Sequence, residues 1–180
     1  KEASELILTD DNFASIIAAI EEGRIIYSNI RKFINFLLSC NIAEILILLF
    51  AMLLNKPLPL IPIQILWINL VTDAFPALAL GVEKGEKGIM NKHPRDPKEP
   101  ILNKTMIQTI STQSIAITIS VLGLFIYFLN STGDLILART IAFTALITSE
   151  LFRAQTVRSE NTLLFKIGLF SNTYLVFGSL

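Results

Sequence analysis

Across residues 33–54 the only ionisable side chains are Cys40 and Glu44, and across residues 58–80 the only one is Asp73. Two neighbouring runs this apolar leave few folds open. A helix crosses hydrocarbon with about 20 apolar residues, and only helices or closed barrels satisfy their backbone there. The chain of 180 residues is 52% hydrophobic, with mean hydropathy +0.60, too apolar for an ordinary soluble domain. The pattern predicts an all-α membrane protein, a multi-span transmembrane helix bundle in contact with the lipid bilayer. Lysine plus arginine number 15, as do aspartate plus glutamate, so the basic excess that a nucleic-acid partner would demand is missing.

Two short polar clusters interrupt the hydrocarbon, Asn41-Ile42-Ala43-Glu44 and Asn69-Leu70-Val71-Thr72-Asp73. A carboxylate at mid-span costs at least about 2.5 kcal/mol and marks a functional site by default. On a helix, Asn41 and Glu44 share a face at i, i+3, and Asn69, Thr72 and Asp73 share one at i, i+3, i+4. Facing each other, they offer amide, hydroxyl and carboxylate oxygens, the donor set of a hard cation. Pro76 lacks the N–H for the carbonyl of Thr72 and predicts a break there, and carbonyls freed by broken helices bind ions in transporters. The bland reading is that Asn and Thr merely glue helices together; for Asn41 alone it carries equal weight. Cys40, the single cysteine, reads as a small buried hydrophobe.

In chain order, residues 4–9 have a β-like pattern, Asp10-Asp11-Asn12 can cap a helix, and residues 13–22 form an amphipathic helix that Gly23 is expected to end. Residues 1–23 thus read as the edge of a water-soluble α/β domain. Residues 24–54, free of proline and glycine, predict a helix of roughly 45 Å, a stalk continuing into a span. A proline-rich turn leads to a second span at 61–80; a charged loop at 81–104 carries Lys84, Lys87, Lys92, Arg95, Lys98 and Lys104. Its positive residues assign loop and stalk to the cytoplasm. A third span at 105–129 reads as scaffold, and a fourth at 138–157 contains Glu150, either a partner for Arg153 or a member of the ion site. A fifth begins at 163–180. No signal peptide precedes Lys1, and the last apolar run stops without a polar flank, so the chain is expected to be part of a longer one.

These motifs carry a resemblance. Ala3-Ser4-Glu5 with Asp10-Asp11-Asn12-Phe13 and Glu21-Glu22-Gly23-Arg24, Asn41-x-x-Glu44, Leu66-Trp67-Ile68-Asn69-Leu70-Val71-Thr72-Asp73, and Pro94-Arg95-x-Pro97-Lys98-Glu99-Pro100 resemble the C-terminal membrane half of P-type cation-transporting ATPases. The similarity is to the calcium pumps of the sarco/endoplasmic reticulum type and their bacterial relatives, and covers nearly the whole chain. It implies that residues 1–23 end a phosphorylation domain and that the spans are transmembrane helices 5 to 9. The calcium ligands it implies are Asn41, Glu44, Asn69, Thr72, Asp73 and Glu150. Subfamilies with one calcium site typically carry methionine in place of Thr72 and lose the acid at Glu150, so two ions are expected here.

The resemblance further implies that the enzyme is the full-length protein, with ATP and Mg2+ bound upstream. The phosphorylated aspartate, the nucleotide and actuator domains and transmembrane helices 1–4 would all precede Lys1, so this piece alone would not hydrolyse ATP. Its membrane would be the plasma membrane in a bacterium or an endomembrane in a eukaryote. A P-type pump for manganese or a monovalent cation is the nearest alternative, although Asn69 stands where sodium/potassium-type pumps usually carry an acid. A passive cation channel is the alternative of another class, and would need neither the stalk nor the domain edge.

Overall fold

The computed structural model describes residues 12–86, 88–91, 93–94, 100–158, 168 and 171–178. The β-like segment at 4–9 and the centre of the loop motif at 95–99 lie outside these. The described chain is a bundle of helices: α1 (Phe13–Leu53), α2 (Pro62–Trp67), a π-helical turn (Ile68–Thr72), α3 (Ala74–Gly81), a 3-10 turn (Ile89–Asn91), α4 (Lys104–Thr132), α5 (Leu135–Thr156) and α6 (Thr173–Gly178). Among the described residues, four segments are long and apolar enough to cross a membrane: α1, the combined Pro62–Gly81, α4 and α5. Leu70, Leu78, Ile119 and Ile136 point outward and are more than half exposed, as lipid-facing side chains of a bundle are.

Helix α1 is longer than its sequence suggests. Asn12 caps it, its side chain accepting from the Ala14 N–H at 3.0 Å, and the 41-residue helix runs straight through Gly23. The expected helix end at Gly23 is therefore not formed. Glycine in a helix interior costs only about 1 kcal/mol, and helical residues on both sides outweigh it. At 1.5 Å per residue α1 is about 60 Å long, roughly twice a hydrocarbon core.

The buried stripe of α1 runs Asn29, Lys32, Phe36, Cys40, Ala43, Glu44, Ile47, Ala51, the three-and-four spacing of one helix face. Two apolar layers form on it. One joins Ala43, Ile47 and Ala51 to Ile117, Val121 and Phe125 of α4 and to Ala138, Ala142 and Leu146 of α5. The other joins Phe36 and Cys40 to Ala79 and Leu80 of α3, Ala154 of α5 and Leu175 of α6. Small residues on α5 let the helices approach closely, and hydroxyls reinforce them. Ser114 of α4 donates to the Ser39 carbonyl at 2.8 Å and Thr118 to that of Ala43 at 3.4 Å. Ser114 and Thr118 thus tie α4 to α1, whereas Thr109 and Thr112, nearer its start, bond back to carbonyls of α4 itself.

Connections are short where local chemistry supports them. Gly133, at φ 70°, closes α4, its N–H reaching the Leu129 carbonyl; Asp134 then caps α5, accepting from Ile136 at 2.8 Å and Leu137 at 3.1 Å. At the other end of the bundle residues 24–32 of α1 pack against residues 81–86 and 89–90. Asn29 donates to the carbonyls of Gly81 at 3.3 Å and Glu83 at 2.7 Å, Arg24 to that of Ile89 at 3.0 Å, and Lys32 pairs with Glu86 at 3.6 Å. Gly85 makes the closest approach: a Cβ there would lie 2.7 Å from Cγ1 of Ile25 and 2.6 Å from its Cδ1. Gly85→Ala is expected to loosen this contact by about 1–3 kcal/mol, measured as a lower thermal midpoint, and Ile25→Ala should recover most of the loss. Additive losses in the double variant would mean the two positions do not meet.

Candidate cation site

The site forms where the second span breaks. Pro76 stands in the first turn of α3, where a missing N–H is tolerated, and the disturbance lies just upstream as a π-helical turn. There the Asp73 N–H bonds the carbonyl of Ile68, five residues back, at 2.9 Å. The wider turn re-aims its side chains, as π-bulges at functional sites do. Thr72 and Asp73 at its end are buried, Asp73 being 1% exposed.

The six residues singled out by sequence fall into groups. Asn69 faces Glu44 across the helix boundary, its amide nitrogen donating to the two carboxylate oxygens at 3.2 and 2.9 Å and to the Ile65 carbonyl at 3.0 Å. Asp73 faces Glu150 of α5: an oxygen of each lies within 4.8 Å of the other and of the Cys40 sulfur. Thr72 adjoins Asp73 on the π turn. Asn41 is half-buried, and its amide nitrogen turns back along α1 to the Leu37 carbonyl at 2.8 Å, the contact expected of a helix-bound polar side chain.

Glu150 does not pair with Arg153. The guanidinium of Arg153 reaches α1 instead, donating to Asn35 at 2.7 Å and Ser39 at 3.2 Å, and to Thr156 at 3.3 Å. The long arginine side chain finds amide and hydroxyl oxygens on the neighbouring helix instead of the carboxylate one turn back. Glu150 is left 0% exposed. Both oxygens of Glu150 and both of Asp73 are buried without a hydrogen-bond donor. Buried carboxylates are ordinarily paired or bound to metal, because leaving them alone costs several kcal/mol. Four unsatisfied oxygens converging from two elements are chemically suited to a cation or to protons.

Two features escaped the sequence reading. Cys40 joins the acids because it lies one helical turn from Glu44 on the inward face of α1; that i, i+4 spacing was the available signal. The Asn35–Arg153 link had none, since nothing in the sequence says which helices touch.

The profile of a family described as "Cation transporting ATPase, C-terminus" matches residues 57–180. The chain is 48% identical over 177 residues to the calcium-transporting ATPase of Bacillus subtilis (strain 168), covering 98% of this chain and 20% of that protein. It is 42% identical over 185 residues to calcium-transporting ATPase type 2C member 1 of Homo sapiens, covering 100% and 20%. To the probable cation-transporting ATPase F of Mycobacterium tuberculosis (strain CDC 1551 / Oshkosh) it is 37% identical over 178 residues, covering 99% and 20%. The chain thus spans about a fifth of the length of these curated relatives. With its all-helical membrane bundle and intramembrane acids, it belongs to the P-type cation-transporting ATPases, as their C-terminal membrane region.

Proposed function

We propose that this chain supplies the ion-binding and coupling helices of an ATP-driven calcium pump that moves calcium out of the cytoplasm. The observation that carries the reading is the convergence of Asp73 and Glu150, fully buried and without hydrogen-bond donors, beside the Glu44–Asn69 pair. Oxygen-rich, anionic and enclosed, this arrangement suits Ca2+, which takes six to eight oxygens. The ligands proposed are Asn41, Glu44, Asn69, Thr72, Asp73 and Glu150. Relatives named as calcium-transporting ATPases support calcium as the ion.

In the proposed mechanism, ATP with Mg2+ phosphorylates an aspartate in the upstream part of the pump and tilts the domain to which residues 1–23 belong. Helix α1 carries that motion into the membrane. Support for this comes from its unbroken length, Phe13–Leu53, and from the hydrogen bonds of Arg24 and Asn29 to residues 81–91. Shifting α1 against α5 and the π turn would separate Glu44 from Asn69 and reshape the space between Asp73 and Glu150. Two states of different ion affinity, biased from a distance by phosphate, are all that coupling requires. Protons could return on the emptied carboxylates. Positive residues of the 81–104 loop support placing that end in the cytoplasm.

Two ions per cycle, as in the sarco/endoplasmic reticulum type, is the finer reading. Thr72, Glu44 and Glu150 support it against a one-site pump. The test is phosphoenzyme formation from ATP by the full-length parent protein in membranes, with calcium present and with it chelated. Phosphorylation that needs calcium, with two tracer calcium ions bound per chain, is the expected result. Phosphorylation indifferent to calcium would move the assignment to manganese or a monovalent cation, and one calcium per chain would favour the one-site type.

A further inference from the structure

Cys40 introduces a donor that a calcium site does not use. Its sulfur, one Asp73 oxygen and one Glu150 oxygen lie within 4.8 Å of one another, and they come from three separate elements: α1, the end of the π turn, and α5. All three side chains are buried. A cysteine in an apolar layer needs no special explanation. The Asp73 and Glu150 carboxylates beside it, unpartnered inside the bundle, do need one.

The geometry is within reach of a small ion. Metal–sulfur and metal–oxygen bonds of about 2.3 and 2.1 Å around a tetrahedral centre leave ligand atoms roughly 3.5 Å apart. Closing from within 4.8 Å to that separation is a displacement on the scale of side-chain rotation. Calcium and magnesium take oxygen ligands, whereas thiolate favours softer ions, and one sulfur with two carboxylates suits the borderline-to-soft divalent metals.

We infer that Cys40, Asp73 and Glu150 form a mixed thiolate–carboxylate site for Zn2+ or Cd2+. The inference rests on reading the acids as a cation site, and adds to it a different ligand set and a different class of metal. The soft ion uses Asp73 and Glu150 in common with calcium but replaces Glu44, Asn69, Thr72 and Asn41 by sulfur. As the metal–sulfur bond forms, the thiol proton leaves to solvent, and the three anionic ligands hold the dication. Zinc or cadmium therefore competes with calcium for the two shared acids and binds the pump in a calcium-free form.

The experiment uses the full-length protein, purified in detergent in calcium-free buffer and titrated with Cd2+ alone. The expected result is an ultraviolet thiolate-to-cadmium charge-transfer absorbance that saturates at one equivalent, is lost in Cys40→Ser and is weakened in Asp73→Asn. Inhibition of calcium-activated phosphorylation by Cd2+ should need at least about tenfold more metal in Cys40→Ser. X-ray absorption of the bound metal in the unaltered protein should show one sulfur among oxygens, and does not depend on any variant folding. An all-oxygen environment, or a band of full amplitude in Cys40→Ser, would overturn the site. Calcium-independent phosphorylation with an intact band would sink the calcium reading and leave this site standing. Calcium-dependent phosphorylation without the band would do the reverse.

Discussion

Asp73→Asn in the full-length protein is expected to abolish calcium-activated phosphorylation at calcium concentrations that saturate the unaltered pump. Asp73 closes the π turn, is 1% exposed, and neither of its oxygens accepts a hydrogen bond. The substitution keeps the shape and one carbonyl oxygen but removes the charge that would face the proposed ion. Removing one member of a buried charge pair costs about 3–5 kcal/mol, which corresponds to a loss of calcium affinity between about 100- and several-thousand-fold. The same change relieves a desolvated anion in the ion-free protein, so stability should be unchanged or higher. Calcium titration of phosphoenzyme formation, beside a thermal unfolding curve, separates the two effects. Activation at the usual calcium concentration would remove Asp73 from the site; lost activity with lost stability would make it structural instead.

The second large effect lies at the end of the bundle and concerns folding. Glu83 accepts from the Arg158 guanidinium at 2.8 and 3.1 Å, and the two side chains are only 8% and 1% exposed. Asn172 also donates to Glu83, and to the Ala79 carbonyl at 3.1 Å, tying the start of α6 to the end of α3. Glu83→Ala leaves the guanidinium buried without its counter-charge. About 3 kcal/mol is expected, the lower end of the range for a broken buried pair, because Arg158 still donates to the Gly168 carbonyl at 3.1 Å. A thermal or denaturant midpoint on the purified protein reads this directly. A loss under about 1 kcal/mol would mean that the pair behaves as an exposed one. Asn172→Ala, which removes one hydrogen bond to the Glu83 carboxylate and one to the Ala79 carbonyl but leaves the ion pair, should cost less, about 2 kcal/mol. Neither change touches the cation site, so calcium affinity at a temperature where the protein is folded should hold.

The two positions illustrate different kinds of buried charge. Asp73 and Glu150 lack donors where an ion is proposed to act. Glu83 and Arg158 satisfy each other and fasten three segments of chain.

The spans were legible in the sequence because hydrocarbon imposes a length and a polarity that a single side chain can violate visibly. Glu44, Asp73 and Glu150 stood out for that reason. The cap at Asn12, the turn at Gly133-Asp134 and the break near Pro76 follow from backbone chemistry within a few residues of each. Gly23 shows the limit of such local rules: its preference, about 1 kcal/mol, is outweighed by the helix on either side of it.

Which faces meet is a matter of tertiary packing. Asn35 and Arg153 are 118 residues apart in the chain, and Cys40, Asp73 and Glu150 come from three elements. No periodicity within one helix specifies the rotation of another. That rotation is set by packing, by Ala138 and Ala142 against α1 and α4 and by the hydroxyls of Ser114 and Thr118 on the carbonyls of α1. Composition within each run is enough to show carboxylates set among apolar residues; packing leaves Glu150 unpaired by Arg153 and brings a thiol to the cluster.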